Sequence, residues 1–191
     1  TENRIKVRLK DLQSHLKVNP DQHVIIAGCL PHVDSSTMKE VKDLIPDYSA
    51  IVSLDNIHHM PEILQKVDES RHDLVFPQEK KVDKAKFLID HPKGKITGII
   101  PISEGCQGAC TYCCVKNARG RLKCYDPNLI VKNVRHQLRQ GIKQVYLTSQ
   151  DCSIYDHQGV TLADLVRKIT ALEHEFFMRI GMLNPNFLSQ Q

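Results

Sequence analysis

The chain has 191 residues, 41% of them hydrophobic, and a formal net charge of +4. That length accommodates one or two domains with a sizeable core. No apolar run approaches the ~20 residues of a membrane span, and Arg4, Lys6, Arg8 and Lys10 break up the first apolar positions, so neither a membrane protein nor a secretory leader is expected and the reading is a soluble, cytoplasmic protein with no membrane partner.

Ile5, Leu9, Leu12 and Leu16 recur at helical spacing and predict a helix from about Glu2 to Lys17, stopped by Asn19-Pro20. His23 to Gly28 is a short apolar run of the kind that forms a buried parallel strand. It places Cys29 in the loop at the strand's C-terminal edge, where open α/β sheets gather ligands. Thr37 and Glu40 form an expected capping box for a helix running to about Leu44. Ala50 to Leu54 reads as a second strand, and Pro61 to Val67 begins another helix. The alternation argues for an α/β unit with a parallel sheet. From about Ser70 to Lys95 the composition shifts, and Glu79-Lys80-Lys81-Val82-Asp83-Lys84 is charged with no apolar period. A solvated linker is expected there, with an RNA-contacting basic patch around Lys80 to Lys95 as the second reading.

Ile96 to Ser103 is the strand that delivers the chain to Gly105–Gly120, GCQGACTYCCVKNARG. Asp126-Pro127 then opens a helix, with Asp as N-cap and Pro at the first helical position; Ile130, Val134 and Leu138 line one face and Gly141 stops it. Gln144 to Thr148 is the next strand. Thr161 and Asp164 open a helix carrying Leu165, Val166, Ile169 and Leu172, and Phe176 to Met182 is the last strand. There is no internal repeat of solenoid period.

Seven cysteines, an odd number without a secretory pattern, do not read as a disulfide framework. Cys29, Cys124 and Cys152 stand apart, and each taken singly reads as a small buried apolar residue. Cys106, Cys110 and Cys113 form C-x3-C-x2-C. Three thiolates on one short loop can hold three irons of a [4Fe–4S] cluster and leave the fourth open, as catalytic zinc sites keep one position free. The competing reading is zinc, in an RNA-binding or interaction module. There Cys110-x2-Cys113 is a knuckle that Cys106, Cys114 or Cys124 completes. A zinc ribbon usually has a second C-x2-C pair at a distance, and this sequence has none. Cys114, adjacent to Cys113, reads as a packing or incidental thiol.

The cysteine spacing, with Tyr112 just before the last cysteine, resembles the radical S-adenosylmethionine (SAM) enzymes. In that superfamily the loop follows the first strand of a (β/α) barrel, and the open iron binds the amino and carboxylate groups of SAM, whose reductive cleavage gives a 5′-deoxyadenosyl radical. The segments CTYCCVKNARGRLKCYDP, LTSQD with Tyr155 following, MRIGMLNP and the upstream VIIAGCLP resemble the radical SAM tRNA methylthiotransferases, most nearly their threonylcarbamoyladenosine branch. The resemblance implies an α/β chain in three parts. Residues 1–70 would be the end of an open parallel-sheet methylthiotransferase N-terminal domain, 71–95 a linker, and 96–191 the first part of a radical SAM (β/α) barrel.

The implied activity is tRNA modification, converting N6-threonylcarbamoyladenosine next to the anticodon to its 2-methylthio derivative. It uses two [4Fe–4S] clusters, S-adenosyl-L-methionine, an electron donor and a sulfur source. By the same resemblance Cys106, Cys110 and Cys113 match the radical-cluster ligands, and Cys29 matches the third ligand of the auxiliary cluster. Tyr112 matches an aromatic position near the adenine of SAM, or a ring that packs the loop onto the barrel. Ser149 and Gln150, at the end of the second barrel strand, are cofactor candidates or loop caps. Arg119 is a candidate for a carboxylate or phosphate, or simply an exposed guanidinium, and Asn184 is a weaker candidate of the same kind.

The chain departs from the family in several places. Thr1-Glu2 match residues just downstream of the second auxiliary-cluster cysteine, so only Cys29 of that set is present. The later barrel strands and the RNA-binding TRAM domain are missing, and Cys114, Cys124 and Cys152 stand where Lys, Ser and Thr are more usual. The chain is therefore expected to be a piece of a longer protein and inactive in methylthiolation by itself; methylthio product made by this chain alone would overturn that expectation. A different radical SAM enzyme is the third reading.

Overall fold

Two parallel sheets organise the chain, each built from strands that return after a helix. The computed structural model describes residues 2–70, 73–77 and 82–187. The chain divides into two units, residues 1–82 with 117–119 and residues 83–116 with 120–191.

The first unit runs α1 (Glu2–Val18), β1 (Ile25–Ala27), α2 (Ser35–Leu44), β2 (Ala50–Val52), α3 (Met60–Ser70) and β3 (Leu74–Phe76). The strands lie parallel in the order β1-β2-β3, with Ile51 opposite both Ile26 and Val75. A central parallel strand is covered on both faces, and all three β2 residues are fully buried. Alternation then sorts them. Ile51 packs with Leu9 and Leu16 of α1 and Val41 of α2, while Ala50 and Val52 pack with Ile63 and Val67 of α3.

Two sequence expectations are corrected in this unit. The N-cap of α2 is Asp34, whose carboxylate accepts from the Thr37 N–H at 2.7 Å and from the Ser36 hydroxyl at 3.0 Å. The expected Thr37/Glu40 box lies inside the helix, and Glu40 pairs with Lys6 at 2.7 Å instead. The strand β3 falls where a linker was expected, since three apolar residues between polar neighbours show no period. The charged run at 79–81 lies outside the described residues.

The second unit runs β4 (Thr97–Pro101), β5 (Ser103–Glu104), α4 (Val115–Arg119), β6 (Lys123–Cys124), α5 (Pro127–Arg139), β7 (Gln144–Thr148), β8 (Asp156–His157), β9 (Val160–Thr161), α6 (Leu162–Thr170) and β10 (Phe177–Ile180). The last three residues of α4 are counted with the first unit. The main sheet is parallel with β7 between β4 and β10. Val145 and Leu147 of β7 and Ile100 of β4 are fully buried against Ile130 and Val134 of α5 and Leu165 and Ile169 of α6. On the other sheet face Ile99 is exposed. The caps expected for the two helices are present. Asp126 accepts from the Asn128 N–H at 2.7 Å, with Pro127 at the first position of α5, and Thr161 and Asp164 form a reciprocal capping box on α6.

Residues 83–91, within the segment expected as a linker, are tied to α5. Asp83 caps a 3₁₀ turn over Lys84–Lys86 and accepts from the Asp126 N–H at 2.7 Å. Asn133 donates to the Phe87 carbonyl at 2.9 Å, and the Asp90 carboxylate meets His136 at 2.7 Å and the Gln140 amide at 2.6 Å.

Hydrogen bonds hold three carboxyls below their usual pKa: chiefly the Thr37 N–H at Asp34, the His136 ring at Asp90 and the Thr161 hydroxyl at Asp164. A pKa lowered by folding contributes stability above the unfolded value, about 3.9 for Asp. That contribution is lost as pH falls through the lower folded values. The midpoint of thermal unfolding is expected to fall as the pH is lowered below about 4. The Asp34→Asn, Asp90→Asn, Asp164→Asn triple variant should show a shallower drop, and an unchanged acid limb would refute the assignment.

Candidate functional site

The cysteine loop leaves the C-terminal edge of β4. Its base is closed by a short antiparallel pair, with Ser103 opposite Cys124 and Glu104 opposite Lys123. Beneath it the Glu104 carboxylate is 4% exposed and is held by Lys84 Nζ at 2.6 Å and the Tyr125 hydroxyl at 3.0 Å. A buried charge is tolerated when paired in this way.

Gly105 makes the turn into the loop. Its φ is +79°, and a Cβ there would lie 2.3 Å from the Arg121 carbonyl oxygen and 2.6 Å from that of Gly120, so only glycine fits. The Gly105 N–H donates to Gln150 Oε1 at 2.8 Å, and the Cys106 N–H donates to the Gly120 carbonyl at 3.3 Å. These contacts fix the backbone that carries the first thiol.

Farther out, the Gly108 N–H donates to Cys106 Sγ at 3.2 Å. A Cβ on Gly108 would stand 3.2 Å from Cys106 Sγ and 4.0 Å from Cys110 Sγ, so the missing side chain leaves both sulfurs clear on one side. The Cys113 N–H donates to the Cys110 carbonyl at 3.1 Å, a tight turn that returns the chain over Cys110. Cys106 is half-buried, Cys110, Cys113 and Cys114 are exposed, and all four thiols are free.

A cradle emptied by glycine, an N–H aimed at sulfur and three soft donors on one loop fit a [4Fe–4S] cluster, which takes each thiolate at a different corner. Zinc needs four donors within about 2.3 Å of one ion. Among the described residues no three His, Cys, Asp or Glu side chains, the loop cysteines included, are grouped around a single-ion site, so the preference for a cluster rests on the loop's spacing and donor type.

The other site candidates are distributed as follows. Tyr112 is 91% exposed, so its ring does not pack the loop onto the sheet. Ser149 is buried, with its hydroxyl donating to Cys152 Sγ at 3.3 Å. Gln150 spends its side-chain oxygen on Gly105, the loop-capping alternative of the sequence reading. Asn184 donates its N–H to the buried Asp151 carboxylate at 3.4 Å, and the Cys152 N–H donates to the Met182 carbonyl at 2.8 Å. The C-terminal edges of β4, β7 and β10 thus bring Cys106, Gln150 and Asn184 to one edge of the second unit. Arg119 ends α4 and is half-buried.

Cys29 lies in the first unit. It is half-buried after β1 and opens a 3₁₀ turn over Leu30–His32. Burial lowers the His32 pKa, opposed by the Asp55 charge. Burial also pushes up the thiols of Cys124 and Cys152. Sequence reasoning missed Gly105, Gly108 and the Glu104–Lys84–Tyr125 group. The only signal available was a glycine just before, and another two residues after, the first loop cysteine.

Gly105→Ala carries backbone strain of about 1–3 kcal/mol as well as the carbonyl clash. Both it and Gly108→Ala are expected to lower iron and sulfide uptake severalfold in anaerobic reconstitution, with the far-ultraviolet dichroism unchanged. Tyr112→Ala should leave uptake intact. Normal uptake by Gly105→Ala would sink this account of the loop.

The Radical SAM superfamily profile matches residues 100–188. A protein of Pyrococcus horikoshii named "Probable threonylcarbamoyladenosine tRNA methylthiotransferase" is 36% identical over 189 residues, covering 97% of this chain and 42% of its own length. The "Threonylcarbamoyladenosine tRNA methylthiotransferase" of Danio rerio is 30% identical over 177 residues, covering 88% of this chain and 31% of its own. The "Ribosomal protein uS12 methylthiotransferase RimO" of Akkermansia muciniphila is 28% identical over 195 residues, covering 90% of this chain and 42% of its own. The chain therefore spans less than half the length of the curated relatives it matches. Residues 100–188 thus match the radical SAM superfamily profile, and the chain is similar over most of its length to proteins named threonylcarbamoyladenosine tRNA methylthiotransferase.

Proposed function

We propose that the protein carrying this chain methylthiolates tRNA, converting N6-threonylcarbamoyladenosine beside the anticodon to the 2-methylthio derivative. The observation that carries this reading is the C-x3-C-x2-C loop at the C-terminal edge of β4, inside the stretch that the superfamily profile matches. Cys106, Cys110 and Cys113 are the residues that would hold the cluster, and its open corner would take S-adenosyl-L-methionine. When bound, the cluster supplies the electron that breaks a sulfonium C–S bond, the chemistry that substitution at an unactivated ring C–H calls for.

The chain's own residues hold and orient. Gln150 grips the Gly105 N–H, so the first thiol keeps its distance from the end of β7. The Gly108 N–H steadies Cys106 Sγ. The exposed ring of Tyr112 offers a stacking face to an adenine. Arg119 offers a guanidinium to a carboxylate or phosphate, while the buried Ser149 spends its hydroxyl on Cys152 and supports the strand edge.

We read the first unit as the C-terminal part of a methylthiotransferase N-terminal domain, with β3 its last strand here, and residues 96–191 as the first part of the (β/α) barrel. Cys29 is read as one ligand of a second [4Fe–4S] cluster, with the sulfur source and electron donor supplied from outside this chain. The reaction belongs in the cytoplasm, where its tRNA substrate is met. A ribosomal-protein substrate is the second reading, supported by the 28% identity to the uS12 enzyme. The 36% identity to a relative named for tRNA favours tRNA.

Anaerobically reconstituted protein is expected to carry iron with acid-labile sulfide and to cleave S-adenosyl-L-methionine. The full protein that carries this chain should add a methylthio group to tRNA bearing threonylcarbamoyladenosine, read by mass spectrometry of the nucleosides. Serine at Cys106, Cys110 or Cys113 should each abolish the paramagnetic signal of the reduced cluster. Stoichiometric zinc without sulfide would overturn the reading in favour of a zinc module, and product on a uS12 peptide but not on tRNA would overturn the substrate.

A further inference from the structure

The outer face of α5 and α6 carries a charge arrangement that the proposed chemistry leaves unused. Lys132, Arg135 and Arg139 stand at i, i+3 and i+7 on α5, one helix face over about 10 Å. Three adjoining clefts open along this face, and Arg135 lines all of them. The cleft of about 390 Å³ at the Asn128 end adds Lys132 and Lys168 of α6. The one of about 340 Å³ at the other end adds Arg139, His174 and Glu173. The third, also of about 390 Å³, adds His136 and Leu88.

Lys132, Arg135, Arg139 and Lys168 are exposed and make no ion pair among the described residues. Two other cations of this unit are engaged, Lys84 by Glu104 and Arg167 by Asp164. Glu173 is the one carboxylate lining the three clefts. Four unpaired cations outnumber the carboxylates of Glu173 and of Asp90, which is held by His136, and concentrate positive potential on a single face of a chain whose formal net charge is +4. The repulsion among them is relieved by an anion with repeating charges. The apolar floor, Val131, Leu138 and Leu172, is broken up by these side chains, so it offers no continuous stripe to an amphipathic helix.

We propose that the α5–α6 groove is a docking track for the sugar-phosphate backbone of the RNA substrate, a proposal that rests on the tRNA reading above. Contacts of this kind position without reading sequence. They hold the body of the RNA on the outside of the sheet's helical layer, while the base to be modified is handled at the strand edge.

The test uses the reconstituted full-length protein and an unmodified tRNA transcript, with affinity measured across salt concentrations. Lys132→Ala, Arg135→Ala, Arg139→Ala and Lys168→Ala together are expected to make the slope of log affinity against log salt shallower by about 3. Iron, sulfide and S-adenosyl-L-methionine cleavage should stay at wild-type levels. The charge-preserving set Lys132→Arg, Arg135→Lys, Arg139→Lys and Lys168→Arg should keep the wild-type slope, which loss of side-chain packing would not.

Removing equal charge at the exposed Arg8, Lys10, Lys17 and Lys39 should change the slope by less than about 1. A groove variant within about 1 of wild type, or an equal loss from the control set, overturns the proposal and leaves the tRNA reading standing. Stronger competition for the groove by poly-glutamate or by phosphatidylserine vesicles than by tRNA also overturns it. A wild-type protein that binds no tRNA at any salt sinks both the groove and the tRNA reading.

Discussion

The site depends on the turn at Gly105. A loop that presents thiols outward has almost no core of its own, since from Ala109 to Cys114 every residue is exposed. Its position must therefore come from its base. At Gly105 three requirements meet in one residue: a left-handed backbone, no Cβ beneath the carbonyls of Gly120 and Arg121, and an N–H free to bond Gln150. The Gly120 carbonyl that excludes a side chain at 105 also accepts the N–H of Cys106. Turn and hairpin base are thus one interaction seen from two sides, and loosening either moves the first sulfur.

That base is itself bolted to the strand edges. Gln150 follows β7, so its grip on Gly105 joins the ends of β4 and β7. Cys152 to Met182 and Asp151 to Asn184 do the same for β7 and β10, with Asp151 4% exposed and also accepting from the backbone and hydroxyl of Ser153. A buried carboxylate that accepts several hydrogen bonds is satisfied without a cation. Under the loop, Glu104 solves the same problem with Lys84 and Tyr125. Rigid elements thereby hold what the loop cannot hold for itself.

Much of this frame was legible in the residues. Long periodic helices and their caps at Asp126 and Thr161 appear where spacing placed them, because those signals are local. The cap at Asp34 was misplaced because Asp34 and Thr37 are both good capping residues. What separates them is backbone: Asp34 is extended, with φ −162° and ψ 174°, and Thr37 is already helical. The strand β3 and the packing of residues 83–91 on α5 carry no period of their own. Their partners lie across the sheet or on a helix some 46 residues on, as with Asn133 and Phe87. Gln150 was placed at the correct edge, but its partner 45 residues away is a backbone amide, which no side-chain pattern announces. The C-x3-C-x2-C spacing was fully readable, whereas the two glycines that shape it became meaningful only beside the carbonyls and sulfurs they leave room for.

The seven cysteines show how environment divides one residue type into separate jobs. Cys152 is fully buried and Cys124 half-buried, and burial raises both thiols by making the charged form costly. Their contacts are weak polar ones, the Ser149 hydroxyl for Cys152 and the Asp156 N–H for Cys124. Such sulfurs pack with the apolar core of the second unit. The loop cysteines sit instead where water, a metal or a cofactor reaches them, and the one nearest the base receives a backbone N–H. Cys152 thus lies fully buried behind the Ser149 hydroxyl, two residues from the Gln150 side chain that grips the loop base, while the sulfurs of Cys110 and Cys113 stand in solvent.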